Sequence, residues 1–137
     1  MCYFHICRAS VAIHVNYADT EVLYTPGKPG RPRIISVTSL AVNLEWTAPE
    51  SDGGYCISSY CVMYGSPAAP TVLYSRMSVE GSATNCTITD SLYLGRTYQF
   101  AVAAVNEAGC GQFSDFSFSF TFTGETGKVM VLKLLLM

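Results

Sequence analysis

From Arg33 to Phe122, apolar side chains recur at every second position in short runs, and glycine, proline, serine or aspartate breaks each run. A period of two puts alternate side chains on opposite faces of an extended chain, whereas a helix needs a period of 3.6. No helical pattern is sustained long enough to compete. The runs and breaks predict an all-β sandwich of seven strands. Strand A falls near Arg33 to Thr38, B at Ala41 to Thr47, C at Ile57 to Tyr64 and C′ near Thr71 to Met77. E follows at Ala83 to Thr89, F at Thr97 to Asn106 and G at Phe113 to Phe122.

The same alternation predicts the core. In strand B, Val42, Leu44 and Trp46 face one way while Asn43, Glu45 and Thr47 face the other, which is the inside/outside code of a packed sheet. Tyr60, Val62 and Tyr64 repeat the code in C, Tyr98, Phe100 and Val102 in F, and Ile88 in E, with Leu92 just before a turn. Strand G sets Phe116, Phe118, Phe120 and Phe122 against serines and threonines.

At 137 residues the chain has room for one ordinary domain and short extras. Residues 1–25 read as a partial upstream module or a non-native start: Val11 to Tyr17 alternates like a strand and Glu21 to Thr25 suggests a second, but two strands do not make a stable domain. The closely spaced prolines and glycines of Pro26 to Pro32 mark a boundary, so the domain is placed at 26–124. Residues 125–137 form a short apolar tail, read as truncated and well short of the ~20 residues a membrane-spanning helix needs. Arg8, His5 and His14 interrupt the apolar run that a secretory signal requires.

Charge and chemistry narrow the function. Only 13% of residues are charged, the formal net charge is -2 and neither sign forms a run, so nucleic acid is not an expected partner. Both histidines, His5 and His14, precede the sandwich; a Ser-His-Asp or Cys-His site inside it is excluded, and no catalytic residue is assigned. Six cysteines contain no C-x-x-C pair, and Asp52-Gly53-Gly54 lacks the spaced oxygen ligands of a calcium loop. No metal or cofactor is expected. If Ile88 points inward, Cys86 does too, as a buried thiol, and Asn85 of the sequon Asn85-Cys86-Thr87 points outward as a candidate glycosylation site.

Pro32, then Val42-Asn-Leu-Glu-Trp46-Thr-Ala-Pro49, Asp52-Gly-Gly54 and Tyr60-Cys-Val62-Met-Tyr64 follow one another in an order that resembles the first half of a fibronectin type III domain. Leu92, Gly95, Tyr98-Gln-Phe100-Ala-Val102 and Asn106-Glu-Ala-Gly109 resemble its second half. The resemblance implies an immunoglobulin-like sandwich with sheets ABE and C′CFG, and a Tyr98 hydroxyl that closes the E–F corner on backbone. One departure is Leu94, where many members have proline. Phe113-Ser-Asp-Phe116-Ser117 partly resembles the Trp-Ser-x-Trp-Ser motif of cytokine receptors, without the arginines on strand F that stack there.

What the resemblance implies for function is non-catalytic recognition, adhesion or spacing in an extracellular or cell-surface multidomain protein, with a protein ligand or neighbouring domains as partners. The alternatives are a cytoplasmic structural module of a giant muscle-type protein, whose linkers similarly carry Pro-Gly-x-Pro, and a fragment of a signalling receptor. In this fold the BC and FG loops emerge at one end, which motivates a candidate disulfide between Cys56 and Cys110 and a binding tip with Asp52, Tyr55, Asn106, Glu107 and Gln112 as candidate contacts. Tyr55 either meets a ligand or packs on Pro49 or the FG loop.

Overall fold

The computed structural model describes residues 22–123. The strand expected at Val11 to Tyr17 and the apolar tail lie outside the described residues. Two antiparallel sheets face each other. The smaller orders β1 (Arg33–Val37), β2 (Val42–Glu45) and β5 (Asn85–Ile88) as β1-β2-β5. The larger orders β4 (Ser75–Glu80), β3 (Ser59–Gly65), β6 (Thr97–Asn106) and β7 (Gly109–Phe113), and β8 (Phe120–Thr121) also pairs with β6. These are sheets ABE and C′CFG, as expected.

Between the sheets lies the core read from the alternation. Val42, Leu44, Trp46, Tyr60, Val62, Tyr64, Ile88, Tyr98, Phe100 and Val102 are all buried, and Leu92 packs against them. Trp46 meets Tyr60 edge-on with ring centroids 5.3 Å apart, a geometry that sets the positive ring edge against the negative face. Its indole N–H is buried with no hydrogen-bond partner, a deficit that the buried ring area outweighs. At the E–F corner the Tyr98 hydroxyl accepts the Tyr93 N–H at 2.7 Å. Leu94 does not disturb this corner, because its side chain points into solvent.

Two strands differ from expectation. Thr71–Leu73 forms a 3-10 turn after Pro70, and strand C′ begins only at Ser75. Tyr74 is the reason. It folds back over the sheet and donates its hydroxyl proton to the Ser66 carbonyl at 2.8 Å, so the chain re-enters the sheet one residue later. Strand G is split. β7 starts at Gly109, and at Ser114 and Ser117 serine hydroxyls take the place of backbone carbonyls: Val102 N–H donates to Ser114 Oγ and Phe100 N–H to Ser117 Oγ, both at 3.0 Å. Their own N–H groups return bonds to the Val102 and Phe100 carbonyls at 2.8 Å. Three residues of this segment thus span two of β6, which breaks the alternation. The four phenylalanines therefore divide: Phe116 packs on the outer cluster, Phe118 is exposed, and Phe120 and Phe122 enter the core.

Glu21 to Thr25 is not a strand over its described residues. Instead the chain from Tyr24 to Gly30 runs beside Thr47 to Gly53, with Tyr24 N–H on the Gly53 carbonyl, Gly27 N–H on Ser51 and Gly30 N–H on Thr47, at 2.8 to 3.0 Å.

Two measurements test this core. Trp46→Ala removes its largest ring and should cost about 3 to 5 kcal/mol in denaturant unfolding; an unchanged midpoint would show that the ring does not anchor the sheets. Burial pushes the Cys86 thiol up from its ordinary 9.0 to about 11. Above pH 9 the unfolded thiol loses its proton while the folded one keeps it, so stability should fall as pH rises from about 9 towards 11. Cys86→Ala should flatten that decline relative to the parent chain, and an identical pH profile would count against it.

Candidate recognition surface

The BC segment Glu50–Tyr55 and the FG segment Asn106–Gln112 do meet at one end, and the C′E turn joins them through Gly81 N–H on the Ser58 carbonyl at 3.1 Å. The tip is not free, however. Residues 22–27 lie across it. Asp52 and Glu107 remain exposed, Gln112 is exposed on β7, and Tyr55 is half-buried. Asn106 is a correction: it is buried, and its amide makes four hydrogen bonds. Nδ2 donates to the Tyr24 carbonyl at 2.8 Å and the Asp52 carbonyl at 2.7 Å, while Oδ1 accepts Ala108 N–H at 2.8 Å and Gly109 N–H at 3.2 Å. Its side chain is engaged within the chain itself, by the segment at Tyr24 and by both loops.

The Cys56–Cys110 bridge is a second correction, because Cys110 is a free, exposed thiol. The hairpin register pairs Cys110 with Val105, which sets its side chain on the outer face of the sheet. Cys61 and Cys86 are also free thiols, and burial, ahead of the nearby Cys110, raises the Cys61 pKa. Asn85 is exposed on edge strand β5.

The two outer sheet faces differ in character. On β1-β2-β5, Asn43 donates to Ser36 at 2.7 Å and accepts from Thr87 at 2.6 Å, a side-chain ladder across three strands. On the larger sheet, Met63 and Ala101 are buried under Tyr74, Phe113 and Phe116. Tyr74 and Phe116 stand 5.9 Å apart, Gln99 donates to the Tyr74 hydroxyl at 2.8 Å, and the Arg76 guanidinium lies 5.7 Å from the Phe113 ring. Arg31 likewise lies 5.4 Å from the Phe118 ring. The cations thus come from β4 and the linker, where strand F has none. Lys28 pairs with Asp115 at 3.0 Å, a bond that holds the Asp115 carboxyl below its usual range.

At the opposite end is a surface the sequence reading missed. The C–C′ loop and the E–F corner enclose a groove of about 910 Å³ lined by Tyr64, Ser66, Ala69, Leu73, Tyr93 and Arg96. Val72, Leu73, Tyr93 and Leu94 are each more than half exposed around it, and Leu40 of the A–B turn is exposed at the same end. The signal lay in Val72-Leu73 and Tyr93-Leu94, apolar pairs beside turn-forming residues that the sequence reading leaves out of the core. Among the described residues no three His, Cys, Asp or Glu side chains gather to hold a metal, and no helix is long and apolar enough to cross a membrane.

Known proteins match this architecture. The fibronectin type III domain model matches residues 27–120. A titin homolog of Caenorhabditis elegans is 32% identical over 95 residues, 69% of this chain and 0% of that protein to the nearest percent. Myosin-binding protein H of Gallus gallus is 30% identical over 94 residues, 69% of this chain and 17% of the relative. Protein sidekick-1 of Homo sapiens is 36% identical over 100 residues, 63% of this chain and 4% of the relative. The crystal structure of titin domains A168–A170 superposes with a TM-score of 0.67 at 30% identity, covering 75% of this chain and 34% of that one. The chain therefore spans a small part of each relative. With its sheet order, its closed E–F corner and this match over most of its length, the chain belongs to the fibronectin type III domain family.

Proposed function

We propose that the chain is a non-catalytic spacing and docking domain of a large multidomain protein, meeting neighbouring domains through the ends of its sandwich. The observation that carries this reading is the distribution of exposed apolar side chains. Apart from Phe118, the large ones gather at the two ends: Val22 and Tyr24 at one, Leu40, Val72, Leu73, Tyr93 and Leu94 at the other. The larger sheet's outer face is meanwhile covered by the chain's own aromatic side chains, and the outer face of β1-β2-β5 is polar. Contiguous exposed apolar surface marks interaction sites, and the small share that this domain takes of its relatives supplies the neighbours.

For the compartment, the reading favoured is an intracellular structural module. The titin and myosin-binding relatives support it. A second reading, an extracellular adhesion module, is supported by the exposed Asn85 sequon and by the sidekick relative.

Hydroxyl-radical footprinting of the domain within its parent polypeptide should show Leu73, Tyr93 and Leu94 protected relative to the isolated chain, with Thr87 unchanged. Equal labelling of both forms would overturn the end-to-end reading. Peptide mapping of the native protein without reductant should recover unmodified Asn85 and reduced Cys61, Cys86 and Cys110. A glycan on Asn85 would move the domain outside the cell.

A further inference from the structure

The six residues across the tip do more than cross it. Tyr24 and Gly27 donate backbone N–H groups to the Gly53 and Ser51 carbonyls, and the Tyr24 carbonyl accepts from Asn106. This is how an extended peptide is held, through its main chain. The surface beneath is cleared for backbone approach. At Gly53, φ is 80°, and a Cβ there would collide with the Tyr24 and Thr25 carbonyls; at Gly111 it would collide with the Pro26 carbonyl. Both walls of this path are thus glycine where the segment passes closest. Leu23 rests on Gly54, Thr25 lies beside Gly109, and Pro26 is buried. Asn106 sits at the junction, one amide joining the segment, the BC loop and the FG turn.

We propose that the BC and FG loops form a peptide-binding cleft, and that its ligand is an extended segment of this same chain, Leu23–Gly27, with proline at its penultimate position. The cleft recognises backbone carbonyl and N–H groups through Asn106, Gly53 and Ser51, with apolar contact from Leu23 and Pro26 adding side-chain preference. Its occupancy covers the BC and FG loops beneath it, leaves Val22 and Tyr24 as the exposed apolar surface of that end, and fixes the path by which the segment enters the domain. This goes beyond docking at the ends of the sandwich and stands or falls separately from it.

Amide hydrogen exchange on the full chain tests the cleft. Tyr24 and Gly27 N–H groups should exchange at least about tenfold more slowly than in an unstructured peptide, because bonded amides exchange only on local opening. Asn106→Ala should remove most of that protection at Tyr24 while Val62 and Val102, in the central strands, keep theirs. Leu23→Ser, whose side chain lies outside the sandwich core, provides a second arm if the Asn106 variant does not fold; it too should speed exchange at Tyr24 and Gly27 alone. Tyr24 and Gly27 amides exchanging at the unstructured rate in the parent chain would overturn the proposal. So would undiminished protection in Leu23→Ser together with undiminished protection in a folded Asn106→Ala.

Discussion

The pairing of β3 with β6 organises the molecule. Seven successive residue pairs, from Ser59↔Val105 to Gly65↔Gln99, join these strands in one unbroken register. Side chains alternate strictly across such a ladder, so this register alone sends Tyr60, Val62, Tyr64, Phe100, Val102 and Ala104 into the core and Cys61, Met63, Ala101 and Ala103 to the outer face. The smaller sheet then closes on the inner set through Val42, Leu44, Trp46 and Ile88. A one-residue slip would exchange the two sets and leave Trp46 without Tyr60. The loops follow from it as well, because the same pairing brings the BC and FG connections to one end and the C–C′ and E–F connections to the other.

Away from this ladder, hydroxyl groups decide the path of the chain. Ser114 and Ser117 offer β6 an oxygen acceptor from a side chain where an unbroken strand would offer a carbonyl. Each bond keeps a buried N–H satisfied, which matters because an unpaired one costs roughly 1 to 3 kcal/mol. The exchange frees the backbone to skip a residue and to turn Phe113 and Phe116 together over Met63 and Ala101. Tyr74 answers from the other edge of the sheet. Its ring covers the same cluster while its hydroxyl ties Ser66 and Gln99. The outer face is consequently a second, smaller core.

How much of this was legible depended on whether a signal was periodic. In β2, β3, β5 and β6 the larger apolar side chains recur at every second position, and the inward members and the Tyr98 corner could be named from sequence because the core between the sheets takes those, even though Met63 and Ala101 are buried on the outer face as well. Thr71–Leu73 also looks strand-like, being β-branched and apolar, but Pro70 and the inward turn of Tyr74 override that propensity. The phenylalanine alternation from Phe116 to Phe122 misled for a related reason: hydrophobic spacing cannot report that a serine hydroxyl has replaced a carbonyl. Asn106 reads as an ordinary turn former, and only the tertiary approach of Tyr24, 82 residues earlier, reveals why its amide is buried. Cysteine positions gave the right end of the sandwich for Cys110 but not the side chain's direction, which the hairpin register sets.

The placement of the chain's two points of departure bears on mechanics. The segment at Tyr24 is tied at the BC and FG end, whereas Phe122 is tied to Gly95 and Arg96 at the other. Tension between them would run along the strands, at right angles to the ladder hydrogen bonds. Such a load shears many bonds together and does not peel them one by one. The paired serines would bear part of it, since Ser114 and Ser117 each hold β6 by two bonds, one from the backbone and one from the hydroxyl. Resistance to pulling is governed by the rate of unfolding, so a break in strand regularity that looks like a weakness keeps the two bonds per residue pair that an unbroken ladder would make, and the last strand loses no grip on β6 where it bends.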